Sequence, residues 1–336
     1  MKLTKKCLTI ALSALLSLSL LAGCSGASGS SSAAAGSTSA AATGEGEFKV
    51  GLIQLMEHPS LDEIRTAIEN ELAAKAEEEG FTYTYDYQNA QGDTATIANI
   101  CQKFVSDDVD VIVAIATQAA QGAATAVEGT DIPVIFSAVT DPVAAGLVEN
   151  TDAPEGNITG TSDAIPVSKI FDLAAELTPD VQSFGLIYNT SEINSVSVIE
   201  ETKAYLDEKG ISYVENAVTA TGEVQTAAQN LLNQCDAVFA PIDNTVASAM
   251  PILAEEAINA KKPVYVAADS MVADGGLATV GVNYTNLGTQ TGDMVVKVLT
   301  GTSVSEIPVE VLKDNAVVVN EETAEAIGVD VSAYVQ

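Results

Sequence analysis

The chain has one histidine and four cysteines in 336 residues, and only 14 basic residues against 46 acidic ones. So few Lys and Arg argue against a nucleic-acid partner, because phosphate binding needs clustered cations. They argue equally against lying flat on an anionic membrane. His58 alone offers no His/Cys cluster, so no transition metal and no cofactor is expected. There is no G-x-S-x-G elbow, no Walker A loop and no G-x-G-x-x-G after the first apolar run, and no enzyme is expected. Past the leader, no apolar run is long enough to cross a bilayer. Two cysteines, Cys101 and Cys235, lie in the body, far apart in sequence. Buried free thiols are the expectation, with a disulfide the alternative outside the cytoplasm.

What is present starts at the leader. Lys2, Lys5 and Lys6 precede an apolar stretch over 7–21, followed by Ala22, Gly23 and Cys24. A charged start, a short apolar core and small residues before a break read as a secretory signal over 1–23. Leu21-Ala22-Gly23-Cys24 resembles a bacterial lipobox, which makes Cys24 the lipidated (palmitate-type) first residue of the mature chain. An ordinary cleaved signal with an incidental Cys is the alternative. Residues 25–43 are almost only Ser, Ala, Gly and Thr, so 24–47 reads as an anchor and flexible tether. The expected location is the extracytoplasmic face of the bacterial cell membrane, lipid-anchored. Beyond the leader, 11 basic residues face 46 acidic ones, which suits solubility and mutual repulsion.

From Phe48 onward, short apolar runs alternate with amphipathic ones. Runs at 50–55, 109–116, 134–139, 184–188, 237–240, 264–267 and 278–282 read as strands buried on both faces. Helical patterns fill 61–79, 95–105, 118–127, 168–177, 195–209, 224–232, 246–260 and 287–299, and Gly80 and Gly210 supply C-terminal stops. Residues 81–87 alternate strictly and read as a strand whose aromatic face packs into the core, with a ligand wall the alternative. The fold class is α/β, with two doubly wound parallel-sheet lobes joined by hinge crossovers. Lobe 1 is expected over 48–160 with about 284–310, and lobe 2 over 161–283 with about 311–336. The segment 156–163 carries turn residues and reads as a crossover. A strand near 316–320 and a terminal helix from Glu321 complete the chain.

In open α/β sheets, ligands bind beyond the carboxyl ends of the strands. The loops there hold Glu57, His58 and Ser60; Thr117 and Gln118; Thr140 and Asp141; Asn189, Glu192, Asn194 and Ser195; Asp243, Asn244 and Thr245; Asp269 and Ser270. Helix-start N–H groups with Ser or Thr hydroxyls suit a carboxylate. Lone acids such as Glu192, Asp243 and Asp269 suit an ammonium group. Together they describe the two ends of an amino acid. Each residue has a plainer reading as a helix cap; the case rests on six such loops at one end of two sheets.

The loop strings Glu57-His58-Pro59, Thr140-Asp141-Pro142, Glu192-Ile193-Asn194-Ser195 and Asp243-Asn244-Thr245 resemble those of ABC-transporter substrate-binding proteins of the tryptophan/tyrosine-binding type. That family has a type I periplasmic-binding fold. The resemblance covers nearly all of 48–331. It implies a two-lobed trap delivering an aromatic amino acid, such as tryptophan, tyrosine or phenylalanine, to a membrane permease and ATPase. It places Glu57, His58, Thr117, Gln118, Thr140, Asp141, Asn189, Glu192, Asn194, Ser195, Asp243, Asn244 and Asp269 near the ligand. The expected division of labour gives the carboxylate to Thr117, Gln118, Thr140 and backbone amides. Asp243 or Asp269 takes the ammonium, and Glu192 and Asn194 close over it. A sensor of the same fold signalling to a membrane kinase, or a different small solute, is the alternative.

Overall fold

The computed structural model describes residues 47–313 and 315–335. The signal, Cys24 and the tract over 25–43 lie outside the described residues. Lobe 1 begins with β1 (Glu47–Gln54), α1 (Pro59–Glu79), β2 (Thr82–Asn89), α2 (Thr94–Ser106), β3 (Val111–Ile115), α3 (Thr117–Ala126), β4 (Val134–Ser137) and β5 (Ile158–Ser162). The chain then builds lobe 2 from α4 (Val167–Leu177), β6 (Ser183–Asn189), α5 (Ile193–Lys209), β7 (Ser212–Val218), α6 (Val224–Leu232) and β8 (Ala237–Ala240). It continues through α7 (Asn244–Ala247), α8 (Met250–Ala260), β9 (Val264–Val266), α9 (Asp269–Ala273) and β10 (Ala278–Val282). Last come α10 (Tyr284–Leu299), β11 (Glu310–Val311), β12 (Asn315–Val319) and α11 (Glu321–Ile327).

Each lobe is a six-stranded sheet, ordered β11-β5-β4-β3-β1-β2 and β12-β10-β9-β8-β6-β7. The central strands β3, β4, β8, β9 and β10 are buried along their whole length, as continuous apolar runs between helices require. Left-handed Gly80 (φ 77°) and Gly210 (φ 68°) close α1 and α5, a backbone conformation that strains any residue with a side chain. The aromatic strand β2 packs beneath α1: Tyr85 donates to Glu69 at 2.9 Å and the Arg65 guanidinium lies 4.8 Å over the Tyr87 ring.

The structure adds to or departs from the sequence reading at four places. The segment read as a crossover is strand β5, inside the lobe 1 sheet, so lobe 1 runs on to Ser162 and β11 pairs there too. Gly160 is the reason the pattern misled. It lies so close to Phe136 that a Cβ would come within 2.5 Å of the Phe136 ring, so a strand position carries a turn-type residue. Strand β7 was absent from the apolar pattern because it is a largely exposed edge. The single helix expected over 246–260 is split into α7 and α8, with Pro251 in the first turn of α8, where its missing N–H is harmless. And β12 runs antiparallel to β10. The chain leaves β11 at the cleft end of lobe 1 and enters lobe 2 from that same end, so its last strand must run away from the cleft.

Three crossovers therefore join the lobes, after β5, after β10 and after β11. Helix α10 returns to lobe 1 and lies against α1 at Gly288, where a Cβ would stand 2.6 Å from Ala67 Cβ and from the Ile64 carbonyl. Cys101 and Cys235 are free and buried.

Candidate functional site

The site is built from the loops that leave the strands. After β1, fully buried Gln54 donates to the Met56 carbonyl at 2.7 Å and to Asp62 at 2.8 Å, fixing the turn that carries Glu57 and His58. Pro59 opens α1, and no side chain caps that helix end. The Ser60 and Leu61 N–H groups have no acceptor among the described residues. After β3, Ala116 is held at φ 78°, ψ 156°, a conformation natural to glycine. After β4, Ala138 also has a positive φ of 56°. Such strain persists where the surroundings enforce it, and it clusters at functional sites.

Lobe 2 spends its acids on itself. The Glu192 carboxylate accepts four hydrogen bonds: from Asn244 N (3.0 Å) and Nδ2 (2.7 Å), and from Thr245 N (3.0 Å) and Oγ1 (2.9 Å). Asp243 accepts from Val246 N at 2.8 Å and from Asn189 N at 2.6 Å, and Asn189 Nδ2 donates to Thr245 at 2.7 Å. Two carboxylates thus hold the one-turn helix α7. Burial, with nearby Glu192, pushes the Asp243 carboxyl well above its ordinary range. All four lone-pair positions of Glu192, expected to close over the solute, are taken inside lobe 2.

The hinge holds a different kind of acid. Asp163 is 1% exposed; it accepts from two hydroxyls, Thr140 at 2.8 Å and Tyr284 at 3.4 Å, and its own backbone N–H also faces it. Burial raises its carboxyl to about 6. Thr140, expected on a ligand carboxylate, is committed to Asp163. Asp269 is half-buried, accepts from Ser270 N at 2.8 Å and is likewise raised by burial.

Several pairs span the cleft. His58 Nε2 meets Asn244 Oδ1 at 3.1 Å; Gln118 Nε2 donates to the Ser191 carbonyl at 2.9 Å; Ser197 donates to Asp141 at 2.7 Å; Ser60 and Ser270 touch through their hydroxyls. The Asn244 amide is oriented by Nδ2 donating to Glu192, so its oxygen accepts and His58 Nε2 carries the proton. That leaves His58 Nδ1 as an acceptor, buried and without a partner among the described residues. Burial holds the imidazole below its ordinary pKa, so it is neutral.

These contacts enclose a narrow space walled by His58, Ser60, Asp163, Asn194, Asp243 and Tyr284, with Asn244 beside them. It offers about 10 Å³ to the centre of a water, so the lobes must part to admit a solute. Among the described residues, no Lys or Arg lines it. Of the thirteen expected positions, His58, Asn194, Asp243 and Asn244 line this space. Glu57 is exposed, and Thr117, Gln118, Thr140, Asp141, Asn189, Glu192, Ser195 and Asp269 stand behind or beside it. Asp163 and Tyr284 were missed as site residues; each stands just past a strand that leaves its lobe. A wider surface groove of about 430 Å³, with Ile97, Gln118 and Gly122 in its wall, lies outside the enclosed space.

Comparison with known proteins agrees with this architecture. The family model for ABC transporter substrate binding proteins matches residues 49–336. A tyrosine-binding protein of Clostridioides difficile (strain R20291) is 37% identical over 324 residues, 96% of this chain and 92% of that protein. The ABC domain from Streptococcus pneumonia in complex with L-Trp superposes with a TM-score of 0.81 at 37% identity, over 85% of this chain and 96% of that one. The ligand-free, open structure of a substrate-binding protein with adhesive properties from Clostridium difficile reaches only 0.65, at 41% identity and over 84% and 95% of the two chains. The higher identity with the lower superposition is what a hinge produces, and it matches the closed cleft seen in this chain.

Proposed function

The chain belongs to the ABC transporter substrate binding protein family, and from that premise we propose that it captures an aromatic α-amino acid between its lobes for import. The observation that carries this reading is the enclosed inter-lobe space, lined by carboxylates and neutral acceptors and by no cation. Such walls repel anionic solutes and accept a zwitterion. The uncapped start of α1 offers the Ser60 and Leu61 amides to a carboxylate, as helix N-termini do. The acids and neutral acceptors across the space suit an ammonium. Relatives that bind tyrosine, or hold L-Trp, support the aromatic class.

Closure follows from differential contact. A solute that touches both lobes only when they are closed shifts the open–closed equilibrium toward the closed form. The closed face then presents itself to a permease and its ATPase. Residues 21–24 support an extracytoplasmic lipoprotein anchored through Cys24; metabolic palmitate labelling that disappears in Cys24→Ala tests the anchor.

A thermal-shift and calorimetric screen of amino acids, sugars and nucleosides tests the ligand. At a hundred times its dissociation constant a ligand adds about 2.7 kcal/mol of stability. Tryptophan, tyrosine or phenylalanine is expected to give the largest shift, and silence from all three, with a shift from a sugar or nucleoside, would replace the reading.

A further inference from the structure

We propose that Asp163 is the counter-charge for the solute's ammonium group and that its place in the hinge ties capture of that group to lobe closure. This rests on the amino-acid reading above and deepens it.

Three observations converge on the same space. First, Asp163 is buried with no cation beside it among the described residues. A carboxylate offers about four acceptor positions, and here, among the described residues, it meets only neutral donors: two hydroxyls, one of them at 3.4 Å, and its own backbone N–H. Glu192, by contrast, is saturated, and Asp243 is bound by two backbone amides of its own lobe. Second, His58 Nδ1 is an acceptor without a partner, in a residue only 7% exposed. Third, Asn194, 3% exposed, turns Nδ2 to the Ile242 carbonyl at 2.8 Å and leaves Oδ1 unpaired. All three residues line the enclosed space. An ammonium carries three donors; one acceptor comes from lobe 1, one from the hinge and one from lobe 2.

The location carries the coupling. Asp163 is the first residue beyond β5, on the first crossover, and Tyr284, which donates to it, opens α10 just past the second. Neutralising Asp163 with a ligand cation removes the cost of burying an unpaired charge at the point where two crossovers meet. Opening the cleft exposes that point again.

The test needs no variant at first. Wild-type protein is titrated by calorimetry with L-tryptophan and L-tyrosine, and with their des-amino analogues indole-3-propionate and 3-(4-hydroxyphenyl)propionate. Loss of the amino group is expected to weaken binding at least about 100-fold. In Asp163→Asn, which keeps the shape, the amino acid is expected to weaken by about the same factor and the gap between amino and des-amino forms to shrink. Equal binding of both forms by the wild type overturns the proposal, as does an Asp163→Asn protein of normal Tm with unchanged affinity. Should no aromatic amino acid bind, the aromatic reading fails by itself. The proposal then requires that whichever solute does bind carries a cationic nitrogen, and a purely neutral or anionic ligand overturns it.

Discussion

The acids on the two sides of the cleft are used in opposite ways. On the lobe 2 wall, Glu192 and Asp243 are satisfied by Asn244, Thr245, Val246 and Asn189. On the lobe 1 and hinge wall, among the described residues, His58 Nδ1 and the α1 amides lack partners, and Asp163 has only neutral donors. A carboxylate that caps a helix start is structural, because removing it strands several buried donors. A buried carboxylate without such donors costs stability and waits for a charge. Acidity by itself therefore does not mark a ligand contact; the number of donors already spent on each oxygen does.

The largest effect is expected from attacking the saturated wall. Glu192→Ala strands four donors and should lower unfolding stability by about 3–5 kcal/mol, measured by urea denaturation. A loss under about 1 kcal/mol would erase the contrast between the walls. Asp163→Asn should do the reverse: ligand affinity falls about 100-fold, while ligand-free stability at pH 7 holds or rises, because an unpaired buried charge is gone.

A pH series sharpens the same contrast. Asp163 is raised from 3.8 to about 6 by burial, so the cost of ionising it is fully present above about pH 6 and fades as pH falls toward its unfolded value. Ligand-free stability from this group should therefore increase by roughly 1–2 kcal/mol between pH 7 and pH 5. Asp243 and Asp269, also raised, act in the same direction. His58, lowered by burial, acts oppositely, because its unfolded form takes up a proton first as pH falls. The difference in Tm slope between wild type and Asp163→Asn isolates the hinge acid. With saturating amino acid the slope difference should vanish, since the ammonium holds Asp163 ionised throughout.

The smallest effect belongs to the rim. Ser197→Ala removes a cross-cleft bond to Asp141 outside the enclosed space, and affinity should change by only a few fold, about 1 kcal/mol or less. A change as large as that of Asp163→Asn would move the centre of recognition to the rim.

Much of the scaffold could be read from the chain in advance. The β3, β8 and β10 runs, the stops at Gly80 and Gly210, and the position of the functional loops after the strands all follow from local periodicity and backbone preference. Strand β5 escaped because Gly160 answers to the Phe136 ring rather than to its own neighbours, and β7 because an exposed edge has no apolar period. Within the site, His58, Asn194, Asp243 and Asn244 were visible as polar residues at helix starts. Asp163 was not, because its partner Tyr284 lies 121 residues further on.

The sequence by itself determined two sheets, their order of assembly and a cleft rich in acids and poor in cations, since each of these depends on residues close together or on composition. Tertiary structure alone decided which acids are spent and which remain open. Glu192 meets its donors 52 and 53 residues away, and Asp163 meets Tyr284 only where two crossovers converge. Hydrogen-bond capacity is allotted by packing in space, and no local pattern records it.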